Sequence, residues 1–481
     1  MQTDLEIKAT ERPPKVVVLS SSLLTERMIL YSSFLDALRQ KAELRYWTTS
    51  ERNLNYGAGA ESLDLRIEKF PEIRPFKEVP YNYLRRLNEY AWDYKLRPPS
   101  RLSVDRLIKK DLVRAHIRAL KFPARLISLL NQHQRLEDWL EGVLLRYQRS
   151  SEALRRFTED RPDAILTTGT FRYEEPAIAA AAKNAGIPLL AFITSWDNIT
   201  TKNRMVFKYD GYIVWSEGMK KELHDYYPYT RESPCHITGA PQFDVFFQTR
   251  FRRSRAEFCA RHGLDEKRPI VLYATGTPNM FTEDRAILRL AEQVVSGELG
   301  DAQLLVRPHP LHDDGRLNEL LRGFGPRVAT QRSGQEGLKA AERAEDETLI
   351  TEWVNTFRHA DVVVNLSSTA AIDGAIFDHP VVNLDFDPEP DRRKHQLVRE
   401  INHVWSHFKP VTDSGGLWMV NDLDEMIMAV KTYLKHPELH REERRRMTEM
   451  VCGQIDGRCG ERMAEALLDF AHNRNAYQVS S

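Results

Sequence analysis

The sequence predicts an α/β protein built from two doubly wound parallel sheets. Short apolar runs alternate with amphipathic segments, the pattern of buried parallel strands joined by crossover helices. The pattern begins at residues 15–19 (KVVVL), reaches Gly239-Ala240-Pro241, and restarts at residues 269–274 (PIVLYA). Two such series indicate two domains with a cleft between them. Ligands bind such sheets beyond the carboxyl ends of the strands.

The first series predicts strands at 15–19, 163–168, 188–194, 211–215 and 235–238, and helices at 24–41, 175–185 and 216–226. A charged connector and helix at 250–262 leads to the second series, with strands at 269–274, 303–306, 361–366 and 380–385. Residues 331–349 are polar and predict a loop or a short exposed helix. From residue 423 the pattern is mostly helical, with a last helix at 460–472.

We therefore divide the chain into three parts. Residues 1–245 form an N-terminal Rossmann-like domain with a helical insertion at about 85–150. Residues 246–440 form a C-terminal Rossmann-like domain, and residues 441–481 are helices expected to pack back on the N-terminal domain.

Composition excludes several classes of protein. Lys plus Arg and Asp plus Glu both number 69, and this balance argues against a dedicated nucleic-acid binder. Hydrophobic residues make up 42% of the chain, which excludes wholesale disorder. No apolar run reaches the roughly 18 residues of a membrane span, and no signal core precedes Val16. The 4 cysteines form no CxxC pair and indicate reduced thiols. We expect a cytoplasmic protein, either soluble or peripheral at the inner face of the membrane.

Residues 91–130 are strongly basic. They carry ten Lys or Arg and three acids, a net charge of 10 − 3 = +7, with Leu and Ile at helical spacing. Such an insertion either contacts an anionic membrane or acceptor, or is a solvated helix face balanced by acids elsewhere.

The segment 360–387 (ADVVVNLSSTAAIDGAIFDHPVVNLDFD) predicts a buried strand that runs into Ser367, Ser368 and Thr369 and then a helix. Hydroxyls and unpaired backbone N–H groups at a helix start can bind an anion. Asp373, about one turn later, is placed to accept hydrogen bonds from ribose hydroxyls. The alternative is an ordinary serine N-cap.

A second candidate segment, 303–310 (QLLVRPHP), ends a strand in Arg307-Pro308-His309-Pro310. His309 could donate to a phosphate oxygen or protonate a leaving phosphate, and Arg307 could hold the same anion. His312, Asp313 and Asp314 follow, but the prolines deny the helical spacing of a metal site, and we predict no metal.

These motifs resemble a known family. The layout is similar to the GT-B glycosyltransferase fold, and RPHP followed by the Ser/Thr segment resembles the CDP-glycerol glycerophosphotransferases and capsule-polysaccharide transferases. Residues 373–380 have the spacing of the GT-B consensus E-A-x-x-x-G-x-P, with Asp373, Gly374 and Asp378 in place of Glu, Ala and Gly. Residues 237–244 (ITGAPQFD) are similar to the G-x-P-x-x-D segment that joins the two domains of such proteins.

The resemblance implies a nucleotide donor held by the C-terminal domain without a cofactor. Arg307 and His309 would face its phosphates. The nucleotide or diphosphate would contact Ser367, Ser368 and Thr369, with Thr275, Gly276 and Thr277 lining the same pocket. Residues 392–395 (RRKH) either add cations to this site or form a solvated turn. Asp385-Phe386-Asp387 is formally a DxD triplet, which this fold does not need.

On the acceptor side, a hydroxyl that attacks the donor needs a base. Asp197 is the first candidate and Glu174 or Glu175 the next, with helix-start or Asx-turn roles as their alternatives. Trp196 could stack on a sugar face, and Asn198, Ser21 and Ser22 are further acceptor candidates.

The sequence thus predicts a transferase that moves a sugar from a nucleotide-sugar to a surface polysaccharide or glycolipid. The alternatives are a nucleotide-sugar 2-epimerase, a polyol-phosphate transferase and a non-catalytic partner in a polysaccharide-synthesis complex.

Overall fold

The strands form two parallel sheets. The structure, a computed structural model, describes residues 12–39, 41–49, 65–74, 78–108, 115–147, 149–172, 174–277, 280–309, 315–331 and 346–473. The first sheet has seven strands in the order β3-β2-β1-β4-β5-β6-β7, and the second has six in the order β10-β9-β8-β11-β12-β13. The strands are β1 Lys15–Ser20, β2 Glu43–Thr48, β3 Arg66–Lys69, β4 Ala164–Thr167, β5 Leu189–Phe192, β6 Gly211–Val214, β7 Cys235–Ile237, β8 Ile270–Ala274, β9 Gln303–Arg307, β10 Val328–Thr330, β11 Val362–Asn365, β12 Val381–Leu384 and β13 Trp418–Val420.

Helices cover both sheets and fill a large insertion between β3 and β4. The longer ones are Glu78–Leu96, Pro99–Leu107, Lys121–Leu129, His133–Arg146, Ser151–Glu159, Glu175–Asn184, Glu217–Tyr226, Arg255–His262, Asp284–Ser296, Glu347–His359, Arg392–His403, Leu423–Lys435, Arg441–Cys452 and Cys459–His472. The shorter ones are Leu23–Glu26, Phe34–Leu38, Ala115–Ala119, Asn198–Thr201, Arg316–Leu320, Ala370–Ile376 and Lys409–Asp413. None of the helices in the described residues is long and apolar enough to cross a bilayer.

The predicted fold class is confirmed, and the predicted strands lie within one or two residues of their expected places. Four strands were not predicted: β2, β3, β10 and β13. Strand β2 has the sequence ELRYWT and β3 has the sequence RIEK, and β10 and β13 have three residues each. Strands β3, β10 and β13 lie at sheet edges, where one side of the strand is not covered and the apolar signal is weak.

The prediction of one helix over 24–41 was wrong. The segment consists of Leu23–Glu26, a π-helical turn Arg27–Tyr31 and a separate helix Phe34–Leu38. The break lies at Ser32, whose backbone is extended with a ψ of −173°, and at Ser33, whose Oγ donates to Asp244 Oδ2 at 2.6 Å. The π-helical turn that precedes this break carries Arg27.

Each sheet reverses its strand order at one point. In the first sheet the reversal lies between β1 and β4, and in the second it lies between β8 and β11. In open α/β sheets this is where a crevice opens at the carboxyl ends of the strands and a ligand binds. The loops after β1 and β4 hold Ser21 and Gly169, and those after β8 and β11 hold Gly276 and Ser367.

Asp244 joins the domain connector to the C-terminal helices. It is fully buried, and its carboxylate accepts from Ser33 and from the backbone N–H groups of Cys459 and Gly460 at 3.0 and 2.8 Å. It therefore caps the helix Cys459–His472 and holds it against the N-terminal domain. Gly239 lets the connector pack closely against the segment that precedes this helix. Its φ is +81°, and a Cβ there would lie 2.4 Å from the Gln454 carbonyl oxygen.

Candidate functional site

Three neighbouring loops of the second sheet bring the donor-site candidates together. Strands β9, β8 and β11 are adjacent, so the loops that follow them share one edge of the sheet. These loops carry, in that order, His309, then Thr275, Gly276 and Thr277, and then Ser367, Ser368 and Thr369. Arg307 is the last residue of β9, and its carbonyl accepts from the Thr275 N–H at 3.0 Å.

The turn at Ser367 is held by buried asparagines. Ser367 has a φ of +47°, a left-handed conformation that costs energy in a residue with a side chain. Its N–H donates to Asn383 Oδ1 and its hydroxyl donates to Asn402 Oδ1, both at 2.9 Å. The Ser368 N–H donates to Asn365 Oδ1 at 3.0 Å. The strain is thus compensated by partners from a strand and a helix outside the turn.

Thr369 is exposed at the start of the helix Ala370–Ile376, and its side chain makes no cap hydrogen bond. Ser368 Oγ instead accepts from the Ala370 N–H at 3.3 Å. The N-cap position is Thr369, so the ordinary serine cap that the sequence left open is not formed, and Thr369 faces solvent beside the loops of β8 and β9.

A buried acid supports the loop after β8. Glu283 accepts from the Gly276 N–H at 2.8 Å and from the Tyr273 hydroxyl at 3.1 Å. Burial raises the pKa of Glu283 to about 7. A Cβ on Gly276 would lie 3.1 Å from Phe281, so the small residue lets the loop pack closely over this acid.

Asp373 belongs to a chain of contacts that crosses between the domains. Its Oδ2 accepts from the Trp353 indole N–H at 3.0 Å, and the Arg27 guanidinium of the N-terminal domain lies 4.0 Å above the Trp353 ring. Burial raises the pKa of Asp373 to about 6, against the opposing charges of Arg307 and Arg27. The carboxylate predicted to meet a ribose is therefore already held by an indole. A ribose contact of Asp373 stays a prediction.

Two further motif positions have structural roles. Asp378 stands where the consensus has Gly, and its φ is +61°, so the backbone there needs the conformation that Gly adopts most easily. Its carboxylate pairs with Arg441 and Arg444. Asp385 of the DxD triplet accepts from Asn402 at 2.9 Å and from His403 at 2.7 Å, which fixes the helix Arg392–His403.

The basic run 392–395 forms the first turn of that helix. Asp391 caps it by accepting from the backbone N–H groups of Arg393 and Lys394, and Lys394 Nζ donates to Thr282 Oγ1 at 2.6 Å. Arg392 and His395 line an open groove of about 840 Å³ at the edge of the second domain, with Arg285.

In the N-terminal domain, Glu175 is fully buried. Its carboxylate accepts from the hydroxyls of Ser21 and Thr167 and from the backbone N–H groups of Thr168 and Gly169 at 3.0 and 2.6 Å. Burial raises its pKa. This geometry holds the loops after β1 and β4 together. Glu174, by contrast, is exposed, and Ser22 is half-buried at the start of the helix Leu23–Glu26.

The loop after β5 touches the second domain. The ring of Trp196 packs edge-on against His407 at 5.2 Å and lies 5.9 Å from Phe408. Asp197 accepts from the hydroxyls of Ser195 at 2.5 Å and Thr201 at 3.0 Å.

The neighbours of Asp197 keep its carboxylate ionised. Burial opposes ionisation, but Lys202, His407 and the hydroxyl donors together outweigh it, and the pKa of Asp197 lies below its usual value. Burial lowers the pKa of His407 to about 4, so that ring is uncharged at neutral pH and Lys202 is the effective cation. Asn198 donates to Thr194 Oγ1 at 3.0 Å, which fixes the loop.

Beside this loop lies a cavity of about 550 Å³ whose walls come from both domains. Trp196 and Glu222 line it from the N-terminal domain, and Ser406 and His407 line it from the other side. Glu222 accepts from Ser406 Oγ at 2.7 Å, and burial raises the pKa of Glu222 to about 7.

Sequence reasoning missed the residues that support these loops: Asn365, Asn383, Asn402, Glu283, Glu222 and His407. For two of them a signal was present. Asn365 and Asn383 interrupt runs of valine in strands predicted to be buried, and a buried amide must find partners.

The chain matches one family. A model of the family described as CDP-glycerol:poly(glycerophosphate) glycerophosphotransferase matches residues 184–469, more than half of the chain. No curated protein matches it.

Solved structures resemble the whole chain at low sequence identity. S. aureus MnaA, solved with UDP, has a TM-score of 0.51 and 10% identity and covers 96% of this chain and 97% of its own. A putative UDP-N-acetylglucosamine 2-epimerase from Listeria monocytogenes has a TM-score of 0.52 and 11% identity, with the same coverage. The Neisseria meningitidis UDP-GlcNAc 2-epimerase bound to UDP-GlcNAc has a TM-score of 0.50 and 10% identity, with 95% and 100% covered. The fold is therefore GT-B, two Rossmann-like domains, as predicted.

Proposed function

Because the chain belongs to the CDP-glycerol:poly(glycerophosphate) glycerophosphotransferase family, and is thus a transferase, we propose that it moves a group from a nucleotide-activated donor to a hydroxyl of a surface polymer or glycolipid. The observation that carries the proposal is the meeting of three loops, after β8, β9 and β11, at the strand reversal of the second sheet. Together they offer a cation, an imidazole and hydroxyl groups, the groups that bind a diphosphate.

In this proposal Arg307 and His309 face the donor phosphates, and Ser368 and Thr369 contact the nucleotide side. Ser367 contributes through its backbone, because its hydroxyl is engaged by Asn402. We expect the donor to need no metal, since these cationic and hydrogen-bonding groups would stabilise the leaving phosphate or diphosphate.

The acceptor is proposed to enter beside Trp196, in the cavity that both domains line. Asp197 is the proposed base, since its carboxylate is ionised at neutral pH and lies at the carboxyl end of β5. Glu175 is better placed to hold the loops than to take a proton, because it is fully buried and accepts four hydrogen bonds from two loops, whereas Asp197 accepts from two hydroxyls of its own loop.

Two kinds of transferred group fit this site. Family membership favours glycerophosphate or another polyol phosphate, in which case the acceptor oxygen attacks phosphorus and a nucleoside monophosphate leaves. The ionised Asp197 also suits a sugar, in which case the oxygen attacks the anomeric carbon and a nucleoside diphosphate leaves. The nucleotide released therefore distinguishes the two.

The first experiment measures thermal stabilisation by CDP, CMP, UDP, GDP and ADP at millimolar concentration. A ligand at 100 times its Kd adds about 2.7 kcal/mol to the free energy of unfolding. The preferred nucleotide then selects donors for a turnover assay in which the released nucleotide is identified. Stabilisation by no nucleotide would refute the donor site. Turnover of a nucleotide-sugar without acceptor would favour an epimerase.

His309→Ala tests the site directly, and His436→Ala is the matched control, since His436 is exposed at the end of the helix Leu423–Lys435. We expect His309→Ala to weaken nucleotide binding and lower turnover, while His436→Ala leaves both unchanged. If His309→Ala and Asp197→Asn both retain full cellular function, the chain is a non-catalytic partner.

A further inference from the structure

The open groove of the second domain adjoins the proposed donor site. It has a volume of about 840 Å³, and residues 386–391, which follow β12, line one side of it. Strand β12 is the neighbour of β11, so this segment lies next to the turn at Ser367. Another side is the start of the helix Asp284–Ser296, and the residue before this helix, Glu283, supports the loop at Gly276. The groove therefore lies beside two of the three donor loops.

The groove presents basic side chains that the fold does not use in ion pairs. Arg392 and His395 are exposed and lie one turn apart at the start of the helix Arg392–His403. Within the described part of the chain, neither pairs with an acid. The Arg285 guanidinium donates to the Pro388 carbonyl at 3.2 Å and likewise pairs with no acid among these residues. A guanidinium and an imidazole are therefore available to an anion in the groove.

Most acids around the groove are already held by partners within the chain. They are Asp391 and Asp422, which cap helices, Asp424, which pairs with Arg289, and Glu389, which accepts from the Arg285 backbone N–H at 3.3 Å. Their charges are thus engaged by helix starts, a guanidinium and the backbone.

Asp387 is the exception. It lines the groove and is 6% exposed, and its Oδ1 accepts from the Glu389 N–H at 3.2 Å. Its Oδ2 is buried and has no hydrogen-bond partner among the described residues. A buried carboxylate oxygen without a donor is costly. A hydroxyl of a ligand in the groove would supply the missing donor.

The helix Arg392–His403 connects the groove to the cavity proposed for the acceptor. It begins in the groove, and Ser406 and His407, which follow its end, line the cavity beside Trp196. Its 12 residues span about 18 Å. A ligand that occupies both places is therefore a chain of several units.

We propose that the groove binds a polyol-phosphate chain, with phosphodiesters at Arg392 and His395 and a hydroxyl at Asp387, while the end of the chain reaches the cavity beside Trp196. Each unit of such a chain carries one anion and free hydroxyl groups, which match the bases and the unsatisfied carboxylate oxygen of the groove. A neutral saccharide offers nothing to the two bases, and inorganic phosphate is too small to bridge the bases and Asp387. The role of this chain as the acceptor rests on the proposed function.

The test is fluorescence anisotropy of labelled synthetic glycerophosphate oligomers of two and eight units, added to the full chain without nucleotide. We expect the octamer to bind at least tenfold more tightly than the dimer, because only the octamer reaches both places, and to bind more weakly at high salt. Arg392→Ala/His395→Ala should weaken octamer binding at least tenfold. Asp387→Asn should weaken it severalfold, because an amide nitrogen in place of Oδ2 cannot accept from a hydroxyl.

The matched control is Arg393→Ala/Gln396→Ala, which removes two exposed side chains of the same helix that do not line the groove. It should bind the octamer as the unmodified protein does. Unchanged octamer binding by the folded Arg392→Ala/His395→Ala protein would overturn the proposal. So would displacement of the octamer by inorganic phosphate or by maltooctaose at the concentration of octamer units.

The absence of nucleotide from this assay separates the groove from the donor site. A protein that is stabilised by a nucleotide but binds no oligomer would overturn the proposal and leave the donor site intact. A protein that binds the octamer through Arg392 and His395, but is stabilised by no nucleotide, would support the groove and refute the donor site.

Discussion

Replacing Glu175 separates a loop-positioning role from catalysis. Glu175→Gln keeps an oxygen that can accept from the Thr168 and Gly169 N–H groups, and its new amide N–H can donate to the Ser21 hydroxyl, which accepts equally well. Glu175→Ala removes the side chain that accepts all of these hydrogen bonds. The first substitution therefore preserves the loop and removes the carboxylate, and the second removes both.

The structure sets the magnitudes. In Glu175→Ala two buried backbone N–H groups lose their acceptor, at about 1–3 kcal/mol each, so we expect a loss of roughly 4 kcal/mol in the free energy of unfolding. For a domain of this size that corresponds to a fall of roughly 10 °C in Tm. In Glu175→Gln charge-assisted bonds become neutral ones, but a buried charge is removed, and we expect a loss of at most about 2 kcal/mol.

The assay is turnover with the nucleotide donor selected by thermal stabilisation, together with thermal unfolding. If Glu175 holds the loops, Glu175→Gln keeps turnover within about tenfold of the unmodified enzyme, whereas Asp197→Asn, which removes the proposed base, loses 10²-fold or more. A folded Glu175→Gln protein with normal Tm and a thousandfold loss of turnover would refute this reasoning. Glu175, which the sequence proposed as a base only after Asp197, would then be the base.

Three other outcomes are expected. Asp244→Ala leaves the Cys459 and Gly460 N–H groups without an acceptor, and it should lower the free energy of unfolding by roughly 3–5 kcal/mol. Urea unfolding measures this loss, and an unchanged midpoint would contradict the capping role of Asp244. Asn402→Ala frees the left-handed turn at Ser367 and should weaken nucleotide binding about tenfold in calorimetry; equal affinity would mean that the turn does not shape the site. Burial raises the pKa of Glu283 from about 4.5 to about 7. Between these pH values the folded state keeps a proton that the unfolded state releases. The free energy of unfolding therefore falls by up to about 3 kcal/mol as the pH rises from 4.5 to 7. Glu283→Gln should flatten this slope, and an equally steep slope in the variant would show that another group causes it.

The two parallel sheets and most of the candidate loops followed from local pattern, and the GT-B assignment followed from the family resemblance. Runs such as residues 269–274 and 361–366 are apolar and β-branched, as strands covered on both faces require, and polar residues follow each run where it ends. Because parallel strands share one carboxyl edge, their order along the chain was enough to bring these polar residues to the same edge of each sheet. Edge strands such as β3 lack that signal, because one side of the strand is open.

Roles within the site depended on contacts between distant parts of the chain. Glu175 and Asp197 are both acids in the segments that follow a strand, and nothing in their sequence neighbourhood tells them apart. In the fold one is enclosed by donors from two loops, and the other stays ionised beside Lys202. Likewise, Ser367 is held by Asn383 and Asn402, which lie 16 and 35 residues away.

The sequence by itself determined the elements, the strand ends and the residue types available there, because hydrophobic period and turn chemistry act over a few residues. Only the tertiary structure decided which of those residues are already occupied, because hydrogen bonds and desolvation depend on neighbours that are distant in the chain. Asp373 illustrates the difference. Its position after β11 followed from the sequence, whereas its indole partner Trp353 lies on a separate helix and Arg27, stacked on that indole, comes from the other domain.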